Sequence, residues 1–301
     1  MTRCGFVALI GEPNAGKSTL LNRMVGSKVA AVTHKVQTTR ARLRGIAVHD
    51  QTQMVFVDTP GLFRPQRRLD RAMVAAAWSA VDDADVTLLL VEAQRGATEG
   101  VMRILETLDQ QQTDRPVALV VNKIDRVKRE ALLALVADLS TRRDFAQVFL
   151  ISAEKGDGVD GLTDWLAKSL PEGPWHYEED QIADAPMRTI AAEITREKLT
   201  LRLHQELPYQ LTVETETWED RKDGSVRIEQ TIYVMRDGHR GIVLGKKGET
   251  IKAISMEARE ELSALLDRRV HLFLTVKSRP NWQNERDRYT SLGLDFADGD
   301  P

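Results

Sequence analysis

Short apolar runs alternate with helix-length amphipathic or polar stretches through the first half of the chain. The runs are rich in Val, Ile, Leu and Phe, and they are FVALI at 6–10, MVFVDT at 54–59, VTLLLVEA at 86–93, VALVVNK at 117–123 and VFLIS at 148–152. Strands of a parallel sheet that is buried on both faces have continuous apolar runs of this kind. The pattern therefore predicts an α/β, doubly wound, mostly parallel sheet over residues 1–170.

The polar pattern changes over residues 171–186. This stretch, PEGPWHYEEDQIADAP, contains three prolines and five acidic residues without a lysine or arginine. Proline interrupts helices, and so polar a stretch has little apolar surface to bury. We therefore predict an acidic linker here.

A second pattern follows over residues 187–280. Helical spacing at 187–203 precedes two alternating, strand-like stretches at 209–218 and 225–235, with the turn RKDGS between them. Apolar positions at 251–266 again have helical spacing, and VHLFLTV at 270–276 is typical of a strand. The order predicts a smaller α+β domain, followed by a polar tail at 281–301.

Composition narrows the class of protein. A length of 301 residues suggests two domains at roughly 150 residues each. The net charge of −3 gives no reason to expect nucleic acid, and the single cysteine, Cys4, excludes an internal disulfide. We find no signal peptide and no run of about 20 apolar residues, so we expect a cytoplasmic protein.

A phosphate-binding motif follows the first predicted strand. It matches GxxxxGK[ST] and consists of Gly11, Glu12, Pro13, Asn14, Ala15, Gly16, Lys17 and Ser18. Such a loop turns backbone N–H groups and the start of a helix toward phosphate. We expect Lys17 to reach the β and γ phosphates and the Ser18 hydroxyl to bind Mg²⁺.

A second motif ends the run at 54–59. It comprises Asp58, Thr59, Pro60 and Gly61, and Leu62 follows it. The Asp58 carboxylate can hold Mg²⁺ through water, and the Gly61 N–H can contact a γ phosphate. Leu62 stands where Ras-like enzymes keep a glutamine that orients the attacking water, which a leucine cannot do.

Two further motifs are candidates for binding the base of the nucleotide. They comprise Asn122, Lys123, Ile124 and Asp125 in an NKxD pattern, with Ser152 and Ala153 after the run at 148–152. Asp125 can accept hydrogen bonds from the N1–H and the exocyclic amine of guanine, a donor pair that adenine lacks. We expect Asn122 to tie this loop to the phosphate loop, Lys123 to pack along the base and ribose, and the Ala153 N–H to be available for guanine O6. NKxD alone could be a solvated loop, but three motifs at strand ends favour GTP.

With these motifs the chain resembles the translation-factor-like GTPases and, more narrowly, the Era family. That family has a switch I threonine within Gln-Thr-Thr-Arg, matched here by residues 37–40. The resemblance implies Thr39 as the switch I ligand of Mg²⁺, with Thr38 as the competitor. The predicted catalytic residues are Lys17, Thr39, Asp58 and Gly61, and the predicted Mg²⁺ ligands are Ser18, Thr39 and Asp58. Asn14 matches relatives that use K⁺, so K⁺ stimulation of a slow hydrolysis is a hypothesis.

The second domain carries one motif of its own. Gly245, Lys246, Lys247 and Gly248 form a GXXG sequence before an amphipathic helical pattern, as in KH domains, whose loop clamps about four single-stranded nucleotides. A solvated turn between helices is the other interpretation. Residues 187–301 hold 19 basic and 20 acidic residues, so RNA binding must depend on a local patch. The candidates beside the loop are Arg240, Ile242 and Lys252.

The Era resemblance extends from Gly5 to about Trp282 and implies a G domain followed by a type-2 KH domain. It also implies a monomeric protein that binds the 3′ end of 16S rRNA, acts in 30S ribosomal subunit maturation and associates peripherally with the inner membrane. Two alternatives stay open. One is an assembly factor that binds RNA and GTP without hydrolysing GTP, and the other is a GTPase of a related branch with a different RNA target.

Overall fold

A computed structural model divides the chain into two units. The structure describes residues 1–33, 43–65, 67–111, 114–204 and 207–280, together with Trp282, Glu285, Arg286, Tyr289, Leu294 and Phe296. The first unit comprises Met1–Val29, Thr39–Asp184 and Tyr289–Pro301, and the second comprises Ala30–Thr38 and Ala185–Arg288. We describe each unit by itself.

The first unit is an α/β sheet with helices between its strands, as predicted. Its elements are β1 (Arg3–Gly11), α1 (Lys17–Val25), β2 (Leu43–His49), β3 (Thr52–Asp58), α2 (Arg68–Asp83), β4 (Val86–Glu92), α3 (Glu99–Gln110), β5 (Val117–Asn122), α4 (Arg129–Arg142), β6 (Gln147–Ile151) and α5 (Val159–Ser169). The strand order is β2-β3-β1-β4-β5-β6. Neighbouring strands are parallel except β2, which pairs antiparallel with β3.

The apolar runs form the centre of this sheet. Residues Val7 to Ile10 of β1 and Leu88 to Leu90 of β4 are fully buried, so both faces of these strands are covered. Parallel strands connected by helices require this arrangement. The runs at 54–59, 86–93 and 117–123 end at the same edge of the sheet, and that edge carries the predicted nucleotide motifs.

The segment predicted as a linker lies along the first unit up to Asp184. Gln53 of β3 accepts hydrogen bonds from the N–H groups of His176 and Tyr177 at 2.9 and 3.0 Å, and it donates to the Tyr177 carbonyl at 2.8 Å. The Ile46 N–H donates to the Ile182 carbonyl at 2.9 Å. Hydrogen bonds from its backbone to the Gln53 side chain and to the backbone of β2 therefore order this acidic stretch without a large apolar surface.

The last described residues of the chain return to the first unit. Tyr289 and Leu294 are buried and form a cluster with Leu69 and Met73 of α2. Phe296 packs edge-on against Tyr289, with ring centroids 4.8 Å apart, and the Arg68 guanidinium lies 4.3 Å from its ring centroid. Part of the predicted polar tail thus contributes apolar packing.

The second unit has the predicted order of helix, two strands, helices and strand. Its elements are α6 (Met187–Arg202), β7 (Leu211–Asp220), β8 (Val226–Val234), α7 (Asp237–Leu244), α8 (Glu249–Leu265) and β9 (Val270–Ser278). β7 and β8 form an antiparallel hairpin, and β8 pairs parallel with β9. Its core packs Leu199 of α6 and Ile254 of α8 against Ile232 of β8.

A short piece of chain that follows α1 in sequence belongs to the second unit. Its described part is Ala30 to Thr33. The Val32 N–H donates to Oε2 of Glu197 on α6 at 2.7 Å, and Glu197 is 4% exposed. A buried carboxylate therefore holds the backbone of this segment.

Candidate active site and nucleic-acid loop

The phosphate loop connects β1 to α1 through three residues with positive φ. These are Gly11 at 147°, Asn14 at 67° and Gly16 at 99°. A Cβ atom on Gly16 would lie 2.1 Å from Nδ2 of Asn122, so only glycine fits there. Ala15, which is buried, donates its N–H to the Glu12 carbonyl at 3.3 Å. The loop is therefore a tight turn before the N-terminus of α1.

Lys17 is the first residue of α1, and its side chain turns back over the loop. Its Nζ donates to the Gly11 and Glu12 carbonyls at 3.1 and 3.0 Å. Burial lowers the pKa of Lys17 to about 8, while the charges of Asp58 and Glu12 oppose that shift. The ammonium group is thus held at the loop where phosphate is expected.

Ser18 and Asp58 meet beside this lysine. The Ser18 hydroxyl donates to Oδ2 of Asp58 at 2.7 Å, although the two residues are 40 positions apart. A hydroxyl and a buried carboxylate form the oxygen donor set that Mg²⁺ prefers, so these two residues fit the predicted metal. Thr38 and Thr39, the two candidates for the remaining protein ligand, lie outside the described residues.

The DTPG motif packs against the phosphate loop. Thr59 Oγ1 donates to the Leu9 carbonyl at 2.6 Å, and the Leu62 N–H donates to the Gly11 carbonyl at 2.9 Å. A Cβ on Gly61 would lie within 3 Å of Pro13. The Leu62 side chain is 4% exposed and belongs to the apolar core. It therefore stabilises the fold and has no polar atom to offer a water molecule.

Asn122 joins the base motifs to the phosphate loop. Its Nδ2 donates to the Ala15 carbonyl at 2.9 Å, and its Oδ1 accepts from the N–H groups of Lys123 and Ala153 at 2.8 and 3.0 Å. The Ala153 N–H, which we expect to contact guanine O6, donates to Asn122 in this structure, and its contact with the base stays a prediction. Contact with O6 requires this bond to be shared or exchanged.

Asp125 lies in a short 3₁₀ turn, Ile124–Arg126, whose Ile124 packs on the core. A hydrogen bond from the Ser152 side chain holds the pKa of the Asp125 carboxyl below its usual value, and the charges of Lys155 and Arg126 add to that effect. Asp125 is therefore ionised at neutral pH and can accept the two donors of guanine. Lys123, predicted to pack along the base, places its Nζ 3.1 Å from Glu92.

The GKKG sequence forms the junction between α7 and α8. Gly245 and Gly248 have φ values of 74° and 79°, and Lys247 also has a positive φ of 52°. A Cβ on Gly245 would lie 2.1 Å from Oγ1 of Thr250. Lys246 and Lys247 are both exposed. The loop thus exposes two lysine side chains on a tight turn that its two glycines, which readily adopt positive φ values, make possible.

The other predicted RNA-binding residues flank this loop, and the structure adds neighbours to them. Arg240 and Lys252 are exposed, and Ile242 is 56% exposed on α7. Ile242 lines a cleft of about 380 Å³ whose other walls include Arg236 and His239. Sequence reasoning did not name these two residues, although His239 lies three positions before Ile242, a spacing that shares one helix face.

Comparisons with known proteins agree with both units. A family described as "50S ribosome-binding GTPase" matches residues 6–123, and one described as "KH domain" matches residues 206–283. "GTPase Era" of Dinoroseobacter shibae is 69% identical and covers 99% of this chain and 97% of its own length. "GTPase Era" of Rhizobium meliloti is 59% identical and covers 98% and 94%.

Two solved structures are similar over almost the whole chain. One is an Aquifex aeolicus Era variant bound to GDP and AlF4⁻, and the other is Era with MgGDPNP and nucleotides 1506–1542 of 16S ribosomal RNA. Each is 34% identical, with a TM-score of 0.91, and covers 97% of this chain and 99% of the solved one.

The fold and the site define a P-loop GTPase that carries a C-terminal KH domain. The chain belongs to the GTPase Era family. Among the residues that the structure describes, no helix is long and apolar enough to cross a membrane.

Proposed function

We propose that this GTPase is a nucleotide-controlled switch that binds the 3′ end of 16S rRNA through its GKKG loop and acts in 30S ribosomal subunit maturation. The observation that carries the proposal is the loop itself, in which exposed Lys246 and Lys247 lie between two glycines of positive φ. The solved Era complex that contains 16S rRNA nucleotides supports the choice of RNA. With so few basic residues at the loop, base contacts must supply most of the specificity.

Crosslinking tests the RNA partner. We expect Lys246 and Lys247 to crosslink to the 3′ end of 16S rRNA within 30S subunits. Crosslinks to a different RNA would contradict this partner and favour a GTPase of a related branch. A Lys222→Ala variant in the β7–β8 turn is the matched control. It removes an exposed lysine away from the GKKG loop, so the crosslinks of Lys246 and Lys247 should remain.

A single-turnover GTP assay tests the switch. Leu62 is buried in the core and has no polar atom to orient water, so we expect slow intrinsic cleavage that accelerates with 30S subunits or with the rRNA 3′ end. Absence of cleavage with RNA present would favour the alternative, in which GTP is a structural ligand that gates RNA binding.

Mg²⁺ and K⁺ form the cofactor part of the proposal. The solved relative with MgGDPNP and the Ser18–Asp58 pair support Mg²⁺. For K⁺ the support is Asn14, which lies at a left-handed position of the phosphate loop. We expect faster GTP hydrolysis in K⁺ than in Na⁺ for the wild type, and equal rates in the two salts for Asn14→Ala. Equal rates for the wild type would contradict K⁺ stimulation.

A monomeric state and a peripheral inner-membrane fraction of a cytoplasmic protein complete the proposal, and both rest on the family resemblance. Light scattering coupled to size-exclusion chromatography tests the first. Flotation with vesicles that contain anionic lipid tests the second, and recovery of the protein only in the unbound fraction would contradict it.

A further inference from the structure

Arg23, in the last turn of α1, reaches the loop that carries Ser152 and Ala153. Its Nε donates to the Ala153 carbonyl at 3.1 Å, and its Nη2 donates to the Glu154 carbonyl. A Cβ on Gly156 would lie 3.7 Å from Arg23 Nη1, so the guanidinium also lies against that glycine. One side chain thus contacts this loop at three positions.

The loop is held at both of its faces. Asn122 accepts from the Ala153 N–H, and Arg23 donates to the carbonyls of the next two peptide groups, which are joined at the Cα of Glu154. A guanidinium is planar and rigid, so two donors on two successive carbonyls fix the orientations of these two peptide groups relative to each other. The same helix begins at Lys17 of the phosphate loop, so α1 connects the phosphate end of the site to its base end.

The side chain of Arg23 is exposed, and this favours a role in ligand binding over a role in fold stability. More than a third of its surface is accessible, and hydrogen bonds of such an exposed side chain add little to the stability of the fold. A loop that binds a ligand benefits more, because ordering it in advance removes an entropy cost from binding. The contacts of Arg23 therefore suit nucleotide recognition better than fold stabilisation.

We propose that Arg23 is a positioning residue for guanine recognition, which holds the loop at residues 152–154 toward the 6-oxo group of the base. The inference rests on the assignment of this edge of the sheet to guanine. It concerns a residue outside the phosphate, switch and NKxD motifs. Arg23 acts through the loop and needs no contact with the nucleotide itself.

Nucleotide affinity of Arg23→Met, measured with three ligands, tests the proposal. GDP and IDP both carry the 6-oxo group, whereas 2-aminopurine riboside diphosphate lacks it. We expect the Kd of Arg23→Met to rise about tenfold for GDP and IDP, because binding must then order the loop, and to stay at the wild-type value for the 2-aminopurine nucleotide. Arg23→Lys keeps the charge without the planar fork, so its Kd should lie in between.

The matched control is Arg142→Met. Arg142 is an exposed arginine that pairs with Asp138 at the far end of α4, and its loss should leave all three affinities unchanged. Equal weakening of all three ligands by Arg23→Met would overturn the proposal, as would no weakening of GDP. If Arg23→Met does not fold, Arg23→Lys provides the same comparison. A wild-type protein that binds no GDP would instead refute the guanine assignment.

Discussion

Lys17 carries its charge in a buried position, and this has a consequence for nucleotide binding. Its pKa is lowered to about 8 in the folded chain, against 10.5 for an ordinary lysine, because burial disfavours the ammonium form. A bound phosphate group is negatively charged and therefore favours the ammonium form of Lys17. We therefore predict that GDP binding at pH 8.5 takes up a proton and that the affinity falls as the pH rises above 8.

Calorimetry in two buffers of different ionisation enthalpy, without added Mg²⁺, measures this proton uptake. At pH 6.5 the uptake should disappear, because Lys17 is already protonated. The effect of Lys17 on the pH dependence of folding stability has the opposite sign to that of an ion-paired lysine. Between pH 8 and 10.5 the unfolded chain binds more protons, so Lys17 adds to stability as the pH rises through this window. Heats of GDP binding at pH 8.5 that are equal in the two buffers would contradict the predicted proton uptake.

Asp125 is the residue that we expect to select the base. We predict that Asp125→Asn raises the Kd for GDP by at least about tenfold, because the amide cannot accept from both donors as the carboxylate does. The amide N–H₂ can donate to the 2-oxo group of xanthine, so the affinity for XDP should increase. Asp157→Asn, in an exposed position of the same edge, is the control and should change neither affinity.

Among single residues, sequence could predict those whose role follows from a local motif. The spacing of Gly11 to Ser18 and of Asn122 to Asp125 indicates their chemistry directly. The Arg23 contacts join residues 130 or more positions apart, and no spacing rule connects an arginine of α1 to those carbonyls. The bond between Ala153 and Asn122 was missed for the same reason, since it depends on the packing of two loops.

At the scale of elements, the junction of α7 and α8 depends on Gly245. We predict that Gly245→Ala lowers the free energy of unfolding by about 1–3 kcal/mol, because a Cβ would meet Thr250 at a left-handed backbone position. RNA affinity should fall with it. Gly238→Ala on α7 is the control, since a Cβ there meets no described atom within 4 Å and alanine favours a helix. Chemical unfolding and RNA binding of both variants measure the difference.

Continuous apolar runs identified the central strands because burial on both faces leaves a strong pattern. β2 gave no such run, since Arg44 and Gly45 interrupt it and only part of this edge strand is buried. The segment at 171–184 is ordered by backbone hydrogen bonds to β2 and to Gln53 of β3. Its side chains carry no periodic signal, so its placement could not be predicted from hydrophobic pattern.

At the scale of the whole chain, the C-terminal residues contribute to the first unit. We predict that Phe296→Ala lowers the free energy of unfolding of that unit by about 1 kcal/mol, the size of one aromatic pair interaction. Leu133→Ala on α4 is the control, because Leu133 is 57% exposed and its removal should change stability little. Thermal unfolding of the two variants compares them, and equal midpoints would contradict the prediction.

The position of Ala30 to Thr33 in the second unit affects how the protein can be divided for experiments. A gene cut after Asp184 would express the phosphate loop, the DTPG motif and the NKxD motif together. It would omit Glu197, the acceptor for the Val32 N–H, so the backbone of Ala30 to Thr33 would lose this hydrogen bond. Kinetic constants measured on such a truncated GTPase would therefore describe a protein in which Ala30 to Thr33 lack their buried partner, and they would not transfer to the intact protein.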